Sequence, residues 1–213
     1  MLSFLKTQIN NMEKQFLNRD LSNIDLKSFD LRGADLSNAD LSNIDLRGVD
    51  LTNANLRYAN LKNADLTGAI LGYATLKNAY LTYANLADTI LTNADLEDAD
   101  LSNANLTNAD LTNANLKYAI LYGANLTNAN LTNVNLEGAI LRYADLTNAD
   151  LSYADLSYAN LTGAILTGVI LTIANLENDN LENANLKYTN LKYANLKYVD
   201  LSDVKYIKCI NKH

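Results

Sequence analysis

Carboxylates are the residues here that could do chemistry. Between residues 78 and 183 the chain carries thirteen Asp and Glu against two cations, Lys117 and Arg142. Asp95, Glu97, Asp98, Asp100 and Asp110 form the densest run and make a candidate acidic binding surface. Acid–base catalysis needs carboxylates in unlike environments, whereas these recur at spacings of five in near-identical surroundings. The single His (His213) and single Cys (Cys209) leave no Ser-His-Asp or Cys-His set. No Gly-rich phosphate loop or metal-ligand spacing is present, and the acidic spacing fits neither calcium loops nor calcium-binding repeats. The expectation is a non-enzyme with no cofactor and no metal. A net charge of −7 argues against direct contact with nucleic acid or an anionic membrane.

The acids are set out by a repeat. Leu occupies every fifth position from Leu21 to Leu201, 37 times in succession. Five residues advance a helix by about 500°, which would spread the Leu over every face. On a flat strand an odd spacing would send successive Leu to opposite sides. The period works if the backbone turns a corner once per unit and every Leu points to a common axis. Ala fills 26 of the 37 places two before Leu, and so shares its inward direction. The place just before Leu is Asp 15 times and Asn 14 times and faces solvent. The place two after Leu is mostly Asn, Tyr or Gly, where a corner is expected. There is no Pro, which suits a backbone paired along nearly its whole length.

These units, as in Ala39-Asp40-Leu41-Ser42-Asn43 and Ala129-Asn130-Leu131-Thr132-Asn133, resemble the pentapeptide-repeat family. The resemblance covers residues 19–203. It implies an all-β fold, a right-handed four-sided parallel β-helix of about nine coils with 20 residues per coil. One column supports that number: Lys77, Glu97, Lys117 and Glu137 alternate in charge at spacing 20. Nine coils at roughly 4.8 Å would make a rod of about 45 Å. The resemblance also implies a protein partner. In one branch of the family that partner is DNA gyrase, a type II topoisomerase, which an acidic rod engages as a DNA mimic with quinolone protection as the outcome. This chain has an unbroken repeat without protruding loops and Leu at the central place.

Ends and surface carry further expectations. Leu2, Leu5, Ile9, Met12 and Phe16 lie at spacings of 3 and 4, which predicts an amphipathic helix over 1–18. It would cap the first coil, with a membrane-surface helix as the alternative. The tail 204–213 is short for a cap, so Val204, Tyr206, Ile207 and Ile210 are expected to form an end-to-end homodimer contact. No span of about 20 apolar residues and no secretory pattern is present, so a cytoplasmic protein is expected. Tyr80, Tyr83, Ile120, Tyr122, Ile140 and Tyr143 would share one side as an exposed apolar patch, read either as an interface or as cross-strand pairing. Thr92, Thr112, Thr132, Ser152 and Thr172 would stack in a column, read as β-propensity or as an ice-binding array. A scaffold of unknown partner is the alternative to the DNA mimic. Asp179 falls at an inward place, where an unpartnered carboxylate is costly.

Overall fold

The structure, a computed structural model, describes residues 16–205. Each five-residue unit makes one tight turn. The N–H of the residue three after Leu donates to the Leu carbonyl, as from Ala39 to Leu36 at 3.1 Å and from Ala79 to Leu76 at 2.9 Å. The residue two after Leu has φ near +60°, for example Asn38 at 56° and Asn93 at 59°. This is the signature of a type II turn. Asn and Gly adopt that conformation readily, yet Tyr holds it ten times, from Tyr58 to Tyr198. The exposed corner lets the ring lie along the rod. At Gly138 and Gly163 an added Cβ would lie 2.6 Å from the rings of Tyr118 and Tyr143 in the coil beneath. Glycine at those two corners makes room for the ring below.

Successive coils pair in parallel at a spacing of 20, as in Asp35 with Asn55 and Ile120 with Ile140. Leu56 N–H donates to the Thr75 carbonyl (2.7 Å) and Asn55 N–H to the Ala34 carbonyl (2.9 Å). With four units per coil, the rod has four faces. Face 1 carries Leu21, Leu41 and onward at steps of 20 to Leu201. Face 2 runs from Leu26 to Leu186, face 3 from Leu31 to Leu191 and face 4 from Leu36 to Leu196. Leu21 to Leu186 are all buried, with the Ala between them, and fill the interior as one continuous column. Each such Leu contributes roughly 1.5–3 kcal/mol, so the column dominates stability.

The N-terminal coil differs from the sequence expectation. Phe16 takes the Leu place one unit ahead of Leu21 and is buried. Its N–H donates to the Asp35 carbonyl at 2.7 Å, and Asn18 is in the left-handed corner conformation at φ 54°. Residues 16–18 therefore continue the ladder rather than the expected helix, and the central column is not all Leu. The remainder of that helix, 1–15, lies outside the described residues. Ile24 and Phe29, too large for the Ala place, are exposed and half-buried respectively. The corners at Asn23 and Ser28 are alone among those from 18 to 203 in lacking positive φ. The first coil flares around its oversized side chains, while Ile44 and Val49 one coil on are buried.

Candidate interaction surfaces

The Asp and Asn before each Leu are local hydrogen-bond acceptors. One side-chain oxygen takes the backbone N–H two residues on, and often the hydroxyl there as well. Asp100 accepts from Ser102 N–H (2.9 Å) and Oγ (2.6 Å), and Asp110 from Thr112 N–H (3.0 Å) and Oγ1 (2.5 Å). Amides also climb the column: Asn115 donates to Asp95 (3.0 Å) and Asn105 to Asn85 (2.9 Å). Where a hydroxyl and an N–H converge, the anion is favoured. Those donors at Thr52 and Ser202 hold the Asp50 and Asp200 carboxyls below the usual carboxylate range. The repeat thus turns the carboxylates just before Leu outward and engages them with donors of their own turn.

The expected acidic surface is brought together in part. Asp95, Glu97 and Asp98 lie on face 4, and Asp100 follows across the edge on face 1. Asp110 lies on face 3, on the opposite side of the rod from Asp100. Glu97 is bridged to Lys77 at 2.7 Å, and Lys117 to Glu137 at the same distance, as the alternation at spacing 20 predicts. Hydrogen bonding to Lys77 lowers the Glu97 pKa and raises that of Lys77. Acids elsewhere are spread over all four faces.

The apolar patch on face 1 is divided. Tyr80 and Tyr83 occupy one coil, and the next coil sets Asp100, Ser102 and Asn103 in the same column. Ile120, Tyr122, Ile140 and Tyr143 form a second, larger island beyond it, all exposed. Tyr122 and Tyr143 meet edge to face at 5.7 Å. Arg142 lies over Tyr143 at 5.5 Å, and Lys117 over Tyr118 at 4.9 Å on the adjoining edge. The two cations of the acidic stretch are therefore both gathered at this island. Sequence spacing identified the patch but not its division, which depends on where Asp100 falls in the ladder. On face 3 the Thr112 and Thr132 hydroxyls donate to Asx side chains of their own unit, Asp110 (2.5 Å) and Asn130 (2.7 Å), while Thr92, which follows Ile90, donates to Asp110 of the next coil (3.3 Å). Thr112 and Thr132 thus close the local turn.

Inside the rod, the Thr89 and Thr189 hydroxyls donate to the Leu86 and Leu166 carbonyls, each at 2.7 Å. Asp179 is 1% exposed. Its Oδ1 accepts the Ala159 N–H at 2.9 Å, and its Oδ2 has no partner. Burial pushes its pKa up to about 8, against the Ala159 hydrogen bond, with the nearby Asp155 charge adding to the rise. Near neutral pH it is mostly protonated and contributes little to the outward charge. Of the expected dimer residues, Val204 packs half-buried against the core, and Tyr206, Ile207 and Ile210 lie outside the described residues. In the last described coil Leu196 and Leu201 are 39% and 42% exposed. Tyr188, Tyr193 and Tyr198 ring that end, each under the Lys that precedes it at 4.7–5.1 Å. Among the described residues no cluster of potential metal ligands occurs, and no helix is long and apolar enough to cross a membrane.

Known proteins share this geometry. No curated protein matches the chain. HetL, a pentapeptide repeat protein involved in heterocyst differentiation regulation from the cyanobacterium Nostoc sp. strain PCC 7120, is 35% identical, with a TM-score of 0.52 over 90% of this chain and 84% of its own. QnrB1, a plasmid-mediated fluoroquinolone resistance protein, is 20% identical, with a TM-score of 0.60 over 87% and 88% in one trypsin-treated form. At that identity QnrB1 speaks for the right-handed β-helix alone. The family model for pentapeptide repeats matches in segments between residues 20 and 205, among them 20–57, 59–98, 129–168 and 170–205. With the five-residue turn, the leucine column and the 20-residue ladder in place, the chain belongs to the pentapeptide-repeat family, whose members are generally non-enzymatic structural and binding proteins.

Proposed function

We propose that this protein is a non-enzymatic binding rod whose acidic body occupies the basic groove of a DNA-binding protein, with DNA gyrase as the candidate partner. One observation carries the reading: Asp95, Glu97, Asp98 and Asp100 cluster over one edge of a rigid ladder, and local donors orient Asp95 and Asp100. Preorganised charge costs little to present to a partner. About five coils of acidic body span roughly 25 Å. B-DNA carries about 15 charges over that length, and the body's twelve outward acids (Asp179 being buried) less two cations are of the same order. This reading places the protein in the cytoplasm. It also includes end-to-end homodimerisation, in which a second copy covers Leu196 and Leu201.

A supercoiling assay tests it. Added protein should inhibit gyrase or relieve inhibition by ciprofloxacin, and the triple variant Glu97→Lys, Asp98→Lys, Asp100→Lys should lose the effect. No response at micromolar protein, unchanged in the variant, would reject gyrase as partner. The second reading is a scaffold. It is favoured by the spread of acids over all four faces and by their use as turn acceptors, and it predicts a co-purified partner that the triple variant retains.

A further inference from the structure

We infer that face 1 is a self-complementary surface on which a second copy of this chain docks laterally and antiparallel, with the two-fold axis between the coils of Ile120 and Ile140. The island is an exposed apolar cluster inside an acid-rich body, and such clusters mark interaction sites. What it fits follows from the register of the ladder, in which residues 60, 80, 100, 120, 140, 160, 180 and 200 form one column. A two-fold axis lying in the interface and running along the strands keeps each column facing its own copy and reverses the order of coils.

Placed between residues 120 and 140, that axis sets Ile120 against Ile140 of the second copy, and Tyr122 against Arg142 of the second copy. Asp100 then meets Asn160, and Asn60 meets Asp200. Thr82 meets Glu182, and Lys62 meets Ser202 with Asp200 and Asp203 beside it. The island's isoleucines face one another, a cation faces a ring, carboxylates face amide or hydroxyl donors, Tyr80 meets the Asn180 amide, and the lysine lands among acids. Shifting the axis onto the coil of Ile120 turns Ile140 towards Asp100, and shifting it onto the coil of Ile140 turns Ile120 towards Asn160. The register on Ile120 would pair Lys62 with Glu182 but set Asp40 against Asp200, and the register on Ile140 would set Arg142 against its own copy; only the register between them opposes no like charges and keeps the isoleucines together. Electrostatic matching of this kind fixes register and partner more than affinity. The contact is about 34 Å long and about 10 Å wide, small for a stable interface, so the pairing is weak and concentration-dependent. It is a different surface from the end-to-end contact and does not rest on the gyrase reading.

The test is sedimentation equilibrium of the full chain from about 10 µM to about 1 mM. The wild type should show a concentration-dependent association step that persists in Val204→Asp, where the end-to-end contact is removed. Ile140→Asp should weaken it more than about tenfold, and because Asp is the commonest residue at that place in the repeat, the fold accommodates it. Lys62→Glu should weaken it, and adding Asp200→Lys and Asp203→Lys should restore it. A second measurement fixes the geometry in a Cys209→Ser background. A mixture of Thr82→Cys and Glu182→Cys chains should form a disulfide-linked mixed dimer, while neither chain alone does so. A monomer throughout the range, a dimer unaffected by Ile140→Asp but lost in Val204→Asp, or no mixed cross-link would each overturn the inference.

Discussion

Asp45, in the N-terminal coils, and Asp179, near the other end, are the same side chain set one place apart in the repeat. Asp45 stands just before Leu and faces out. Arg47 and Lys27 bond to it at 2.7 and 2.5 Å, and those bonds hold its carboxyl well below the usual range. Asp179 stands two before Leu and faces in, with one oxygen bonded and the other without a partner, and burial drives its pKa to about 8. A one-residue change of place on an extended unit reverses the direction of the side chain. It turns a charge that the fold welcomes into one that it suppresses. The Thr residues at the same inward place show that polarity alone is not the fault, since each hydroxyl reaches a carbonyl.

The largest effect should come from forcing the outward residue inward. Ala99→Asp, beside the outward Asp100, buries a carboxyl among Leu in the middle of the rod. It should cost about 3 kcal/mol or more, read as a fall in urea midpoint. An unchanged midpoint would break the comparison, because Ala99 would then not face the core.

Removing the misplaced acid should do the opposite. Asp179→Ala restores the usual residue and deletes an unsatisfied oxygen, for a gain of about 1–3 kcal/mol. The pH dependence sharpens this. The folded pKa of Asp179 lies above its unfolded value, so the folded state holds the extra proton between them. The wild type should therefore lose stability as pH rises from about 4 to about 8, relative to the Asp179→Ala variant measured in parallel. Curves that stay parallel across that window would remove Asp179 as the cause.

Asp45 carries the opposite sign. Its folded pKa is depressed, so its contribution is present above the unfolded value and is lost as pH falls below about 4. Asp45→Asn should flatten that acid limb slightly and leave the midpoint at neutral pH nearly unchanged, since the pair is exposed. A larger change at neutral pH would mean that the N-terminal charge ladder bears more of the fold than the leucine column allows.

The sequence made the leucine column, the inward Ala and the corner residues legible, because one period repeats without a slip. It also made the Lys77–Glu97 and Lys117–Glu137 pairs legible, because charge alternates at the coil spacing. Phe16 was obscured because it satisfies two patterns, the five-residue period and the helical spacing from Leu2. The separation of Asp110 from Asp100 was obscured because ten residues along the chain is half a turn around the rod. The use of Asp and Asn as turn acceptors has no signal in spacing, since it depends on the carboxylate lying over the N–H two residues on. Whether Asp179 would find donors could not be read either, because its one donor, the Ala159 N–H, comes from the coil beneath.

All of this rests on coils that stack every 20 residues about one leucine axis. The most direct test is a pair of spin-label distances on face 1 in a Cys209→Ser background, with labelled chain diluted into unlabelled. Labels at Ser42 and Arg142, five coils apart, should lie about 24 Å from one another, and labels at Ser42 and Ser202, eight coils apart, about 38 Å. Distances that fail to grow in that five-to-eight proportion would contradict the stack.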